Sequence, residues 1–424
     1  SRGLGDVYKR QNTGWTLQMV RESQRVKKTA AFIMAAGVSL AALTACSTGN
    51  EESGVGSENS DMNNSSVGQG SEGKNSEQLG DPAQPVASPK VADNVPGKVT
   101  TGRNDHDAVM DTSYVSLDGK EPAIATLSKG TLRIGAIDKL TGKKPDAKSI
   151  KVPESCKSIS PSERGVVIAC ENAATEYNAD GKKLVSVKLP GKVKAATILK
   201  NKQIVASFSD DDRLRFFDVA EHADGDTDVA AEENDKVIVS RSIDDLLHFT
   251  SADGGEQLAA IDRGQTSITD VQPDDHELKG ALRIGQGVGQ TSTGRGTDGI
   301  VIASDARQDQ FQLFTMHDVM RQHQSAPTSA GPWSVLWDAK RSIAWVSTTK
   351  DNMLTGYKVD EGTPIKVAEL ATIADVRHIM DSPSGELLLM SAKSSTQLLS
   401  TSDIDRAIDR GVPGVEDFPV WRQD

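Results

Sequence analysis

Apolar residues fall along the chain in three regimes. Residues 30–43 (AAFIMAAGVSLAAL) form one apolar run, and residues 47–100 are rich in Ser, Gly, Asn, Glu and Pro with almost no large apolar side chain. From about Gly102 onward, short apolar cores return at a regular spacing. Taking Ala123, Val166, Ile204, Leu258, Ile300, Ile343 and Leu387 as equivalent points, the steps are 43, 38, 54, 42, 43 and 44 residues.

Each core follows turn chemistry, such as Asp118-Gly119, Asp253-Gly-Gly255, Asp298-Gly299 or Ser384-Gly385. Each is followed, after a polar loop, by a second strand-like stretch, as in RLRFFDV or QFQLFTMHD. No helical pattern of 10 to 15 residues separates the cores, which argues against α/β crossovers. Seven such units predict an all-β fold, a seven-bladed β-propeller of four-stranded antiparallel blades. A β-sandwich is the competing architecture, and the even spacing argues against it.

Two places break the regularity. The step of 54 residues contains the acidic stretch 221–235, expected to be an extended loop. The seventh unit lacks an outer strand after Leu399, because residues 401–410 (TSDIDRAIDR) read as a short helix with Ser402 or Asp403 as N-cap. A strand around Asp107 to Met110 is therefore expected to complete the last blade.

The first two regimes concern address. Arg21, Arg25, Lys27 and Lys28 precede the apolar run, which is the layout of a secretory signal and too short to cross a bilayer as a helix. Leu43-Thr44-Ala45-Cys46 then resembles the bacterial lipobox. The resemblance implies cleavage between Ala45 and Cys46, diacylglyceration of the Cys46 sulfur, and acylation of the new N-terminus, enough for stable anchoring. The expected organisation is a non-native extension over residues 1–18, a lipoprotein signal peptide over 19–45, a lipidated Cys and disordered tether over 46–100, and the propeller over 101–424. The tether cannot bury enough surface to offset its backbone entropy.

Composition narrows the partners. With 60 acidic and 48 basic residues the net charge is −12, which argues against a sequence-independent binder of nucleic acid. Of three cysteines, Cys46 is accounted for by the lipobox. Cys156 and Cys170 flank the turn at Ser162 to Gly165, and a disulfide between adjacent antiparallel strands is the natural reading in an exported chain.

Candidate chemistry is sparse. Asp224-Gly-Asp-Thr-Asp228 offers alternate carboxylates but fits a calcium loop poorly, with Val229 where the turn Gly belongs. Gly285-Gln-Gly287-Val-Gly289 lacks the following helix of a dinucleotide fingerprint and reads as an inter-blade connection. The seven histidines show no metal-ligand spacing, and there is no Gly-x-Ser-x-Gly. Trp333, Trp337 and Trp345 read as packing between blades. No cofactor or metal is expected.

The loops after the core strands remain. In a propeller they gather at one mouth of the central channel, and they supply Asp211, Arg213, Asp262, Arg263, Asp305, Arg307, Lys350, Asp351 and Lys393. Two readings stand: a solvated rim with weak local ion pairs, or a polar ring that recognises a ligand or partner.

Asp262-Arg-Gly-Gln-Thr-Ser267, Ala281-Leu-Arg-Ile-Gly-Gln-Gly287 and Ala344-Trp-Val-Ser347 with Gly356-Tyr357 resemble the LppL-type prolipoproteins of mycobacteria and corynebacteria. Stretches such as AWVSTTKDNMLTGYKVDEG also resemble the tyrosine-valine-threonine-asparagine propeller repeats of surface and periplasmic proteins. These resemblances imply an extracytoplasmic propeller and supply no catalytic residues. The expected function is a membrane-anchored binding or scaffold module of the cell envelope, monomeric, not an enzyme, with an unknown envelope protein or small ligand as partner. The alternative is a hydrolase or lactonase-type propeller using acids such as Asp262 or Asp305.

Overall fold

The computed structural model describes residues 80–414, apart from 93, 103–106, 116–122, 142–145, 251–253, 296–298, 318 and 361. The expected extension over 1–18, the expected signal peptide, Ala45, Cys46 and residues 47–79 of the expected tether lie outside the described residues.

Seven antiparallel sheets, six of four strands and one of five, make a seven-bladed β-propeller. The blades span residues 109–151, 158–188, 193–238, 245–283, 288–327, 332–371 and 376–399, and are called blades 1 to 7. All seven predicted cores are the second strand of their blade. Their continuous apolar character has a direct cause, since each sheet is packed on both faces by its neighbours. Gly165–Cys170, Ile204–Phe208, Ile343–Thr348 and Leu387–Ser391 are buried at every residue. Outer strands such as Glu277–Arg283 are largely exposed.

The core divides into seven apolar clusters, each joining two successive blades. Trp345 and Leu336 of blade 6 pack with Ile379 and Leu389 of blade 7. Trp337 packs instead with Ile302 and Phe311 of blade 5. Ile124 of blade 1 meets Met380 and Leu388 of blade 7, which closes the ring. Gly356 makes room for the Trp345 ring, because a Cβ there would sit 2.7 Å from its Cζ3 atom.

Three expectations need correction. Closure does come from the N-terminal side, but from Lys98–Thr100, which pairs antiparallel with Thr396–Leu399. The 107–110 segment instead leads into Val109–Val115, the inner strand of blade 1. Lys98–Thr100 therefore belongs to the propeller, upstream of the boundary drawn at 101. The acidic insert is not a free loop: Asp226–Val229 pairs parallel with the outer strand of blade 2 as a fifth strand, and Ala231–Ile238 is the outer strand of blade 3. Finally, the C-terminal helix Thr401–Arg410 is capped by Ser400, whose side chain accepts from the Asp403 amide while Asp403 reaches back to the Ser400 amide. This reciprocal arrangement satisfies two otherwise orphaned donors.

Candidate functional site

Strand direction places every loop between second and third strands, and every connector entering a blade, on one face of the ring. All nine residues predicted at the channel mouth lie on this mouth face. Their roles there differ.

The two acids that suggested chemistry are buried staples. Asp305, the last residue of the second strand Ile300–Asp305, is fully buried. Its carboxylate accepts from the amides of Gln286 (3.1 Å), Gly287 (2.9 Å) and Arg307 (3.3 Å) and from Gln310 Nε2 (3.0 Å). It holds the connector that enters its own blade. A Cβ on Gly285, whose φ is +52°, would fall 1.7 Å from Asp305 Oδ2, so the glycine run serves close approach of backbone to carboxylate. Asp262 ends the second strand of blade 4 in the same way, accepting from Ser240 Oγ (2.5 Å), the Ser242 amide (3.1 Å) and the Gln265 amide (2.7 Å).

Blade 2 achieves the same tie covalently. Cys170 ends its second strand, and Cys156 lies in the connector just before Ser158–Ser162; their sulfurs are bonded at 2.04 Å. The pair is the expected disulfide, with Cys156 placed before its strand rather than in it.

Of the basic rim residues Arg263 is turned into the ring, whereas Arg307, Lys350 and Lys393 are exposed. Arg263 donates to the Gly289 carbonyl, contacts Gln290 Oε1 at 3.4 Å, and lies 3.7 Å from Asp245, bridging blades 4 and 5. Arg307 Nη1 donates to the Gln286 carbonyl (3.1 Å) and Nη2 to the Asp81 carbonyl (2.6 Å). Arg213 pairs with Asp212 (3.3 Å) and Asp211 (3.6 Å), and Asp211 also receives Arg215 Nε at 2.7 Å. Asp351 accepts from Thr348 Oγ1 at 2.5 Å, Lys393 stands 3.9 Å from Asp375, and Lys350 is exposed.

Sequence reasoning missed what lies on this face. Residues 80–96, placed by composition in the tether, cross the rim from blade 4 to blade 7. Asp81 is held by Arg307, Ala83 is buried, and Pro89 accepts from Asn352 Nδ2 (3.0 Å). Ser88 bonds Thr349 and Asp375, and the Pro96 carbonyl accepts from Gln397 Nε2 (3.0 Å) just before the closing strand. The chain thus forms a strap along blades 4 to 7 and leaves the mouth face of blades 1 to 3 uncrossed by it.

The channel contains a cavity of about 110 Å³ lined by inner strands, and a second of about 370 Å³, which shares Tyr114, Pro161, His248 and Thr293 with it, lies toward the opposite face. Asp111 and Asp245 stand in the first with His378. Burial and the nearby Asp245 charge push the Asp111 carboxyl up to about 8, against the opposing amides of Ile159 and Thr112 and the Arg263 charge. Burial lowers His378 to about 4, and Arg263 and Arg377 act in the same direction. Toward the opposite face, Arg295 of blade 5 reaches Asp381 of blade 7 (2.7 and 3.0 Å), and Tyr114 of blade 1 donates to the same carboxylate (2.5 Å). Burial and the Asp381 charge raise the Tyr114 hydroxyl well above its ordinary value.

In the insert, Asp224 pairs with Arg164 (3.4 Å) and Lys182 (3.3 Å). Among the described residues no three His, Cys, Asp or Glu converge as metal ligands.

The fold defines the class: a seven-bladed β-propeller. No protein-family model and no curated protein matches the chain. Among solved structures it is similar to a chain of a mitotic checkpoint complex, with a TM-score of 0.55 and 13% identity over 75% of this chain and 96% of that one. The β-propeller domain of Myceliophteria thermophila Cps50 (Swd1) gives 0.53 and 13%, over 72% and 99%. A streptogramin B lyase gives 0.50 and 11%, over 71% and 97%. At such identities the likeness concerns the fold, and function must be argued from the site.

Proposed function

We propose that the chain is a lipid-anchored, extracytoplasmic β-propeller of the LppL type, acting as a binding or scaffold module of the cell envelope rather than as an enzyme. The anchor is Cys46, read from the lipobox, and the protein works as a monomer with an envelope partner. One observation carries the choice between binding and catalysis: Asp262 and Asp305 are engaged by three and four donors respectively, and neither lines the channel cavity. A carboxylate so satisfied is a poor general base. The hydrolase reading therefore loses the acids that motivated it.

Site-specific photo-cross-linking in cells tests the reading. Probes at Lys350 and Arg213 on the mouth face, and at Lys202 on the opposite face, should capture a partner from one face in preference to the other. Equal recovery from all three positions, or turnover of ester or lactone substrates by the purified protein, contradicts it.

A further inference from the structure

Residues 81–90 (DPAQPVASPK), the part of the strap over blades 5 to 7, have little apolar anchorage. Ala83 is the one buried side chain among them, and Val86 stays 40% exposed. Among the described residues no backbone-to-backbone hydrogen bond joins this stretch to the ring. Ring side chains reach its main-chain carbonyls instead: Arg307 Nη2 donates to Asp81 (2.6 Å) and Asn352 Nδ2 to Pro89 (3.0 Å), with the Ser88–Asp375 pair beside the second.

The groove is matched in kind to what it holds. The ring offers donors at both ends of the stretch, and prolines 82, 85 and 89 each bring a carbonyl with no N–H to satisfy. The side chains that meet the floor come three residues apart. A Cβ on Gly287 would fall 3.0 Å from Ala83 Cβ, and one on Gly331 would fall 3.2 Å from Val86 Cβ, so a glycine makes room for each. Three residues is the repeat of a polyproline II segment, which is extended before it docks and loses little entropy on binding. Contacts made to carbonyls and to glycine floors read the shape of a backbone more than its sequence.

We propose that the rim of blades 5 to 7 is a docking groove for an extended, proline-containing segment of a partner protein, which the strap occupies in cis as a built-in competitor. The proposal rests on the binding-module reading above and gives the partner its chemistry. A covalently attached strap competes at an effective concentration on the order of millimolar. With so little apolar burial it opens locally at low cost. A partner that adds contacts on the uncrossed mouth face of blades 1 to 3 offsets the strap's advantage.

The test uses the full chain carrying Cys46→Ser, with residues 81–90 either kept or replaced by a Gly-Ser segment of equal length. A fluorescein-labelled peptide of sequence DPAQPVASPK is followed by anisotropy. Saturable binding to the strap-replaced chain is expected, and binding at least about tenfold weaker to the chain that keeps its strap. Ser88→Ala, which loosens the strap and leaves the groove intact, should fall between the two. In the strap-replaced chain Arg307→Ala and Asn352→Ala together should weaken binding about tenfold or more, whereas Arg213→Ala on blade 3 leaves it unchanged. A peptide carrying Pro82→Ala, Pro85→Ala and Pro89→Ala should bind about tenfold more weakly.

Circular dichroism checks that each chain folds, and the Ser88→Ala chain decides alone if the strap-replaced one does not. Equal binding with and without the strap overturns the proposal, as does undiminished binding of the proline-free peptide. So does the absence of binding to both the strap-replaced and the Ser88→Ala chains. The two readings fail separately. A face preference in cells with no peptide binding overturns the groove alone, whereas peptide binding with no face preference supports the groove and contradicts the scaffold reading.

Discussion

Ser88 and Asp375 hold each other reciprocally across 287 residues of chain: the Asp375 amide donates to Ser88 Oγ at 2.7 Å, and the Ser88 amide donates to Asp375 Oδ1 at 3.3 Å. The same Ser88 hydroxyl donates to the Thr349 carbonyl at 2.9 Å, so one strap residue ties blades 6 and 7. Three linked bonds to a single serine explain why a segment with almost no large apolar residue is ordered on the rim.

Ser88→Ala removes the hydroxyl from that network and leaves the Asp375 amide and Thr349 carbonyl without their partner. The expected loss is about 1–3 kcal/mol. It should show as faster amide exchange over residues 80–92, with the blade cores unchanged.

The disulfide joins Cys156 and Cys170 across a sequence separation of 14. In the chain-entropy treatment, reduction or a Cys170→Ser change costs about 3 kcal/mol. Chemical denaturation with and without reductant measures it, and an unchanged midpoint contradicts the staple role.

Asp305→Ala should cost more than an ordinary surface change, because it leaves the buried Gly287 amide and the part-buried Gln286 amide without an acceptor. A loss of roughly 2–4 kcal/mol is expected. Gly285→Ala should be comparably damaging, since its Cβ would displace the Asp305 carboxylate. If the site were catalytic instead, Asp305→Asn would keep stability and remove an activity.

Asp270 in blade 4 is fully buried, with Gln272 Nε2 3.4 Å from one oxygen and no hydrogen-bond partner for the other. Burial raises its pKa from 3.8 to about 6, despite Gln272 and Lys279. The folded protein therefore binds this proton more tightly than the unfolded chain. Its contribution to stability is full below about pH 4 and is lost as pH rises through about 6, by at most about 3 kcal/mol. Asp270→Asn should flatten this part of the stability profile and raise the unfolding midpoint at pH 8 relative to the unmutated protein.

The second strands were legible because both of their faces are buried, which leaves an uninterrupted apolar run in the sequence. The closing strand was not. Lys98–Thr100 has three residues, its one large apolar side chain, Val99, is 44% exposed, and it is held by backbone pairing that writes no pattern. Val109–Val115 was misplaced for a related reason: its polar residues Asp111 and Ser113 line the channel and mimic an edge strand. The insert strand Asp226–Val229 exposes three of its four residues and so reads as loop.

The mouth-face residues were found, but their roles were not. An aspartate that caps backbone amides and one that meets solvent are the same letter in the same kind of loop. Only the geometry of Gly285 and the connector separates them. Asp111, half-buried in the channel, carried no signal beyond its place in a short strand.

The measurement closest to the central claim is fractionation of cells producing the Cys46→Ser chain beside the unmutated one. The account predicts that the unmutated protein pellets with membranes and that the Cys46→Ser protein is released or mislocalised, with the same thermal unfolding midpoint for the ring. A Cys46→Ser protein that remains in the membrane fraction even at high salt would contradict the anchor.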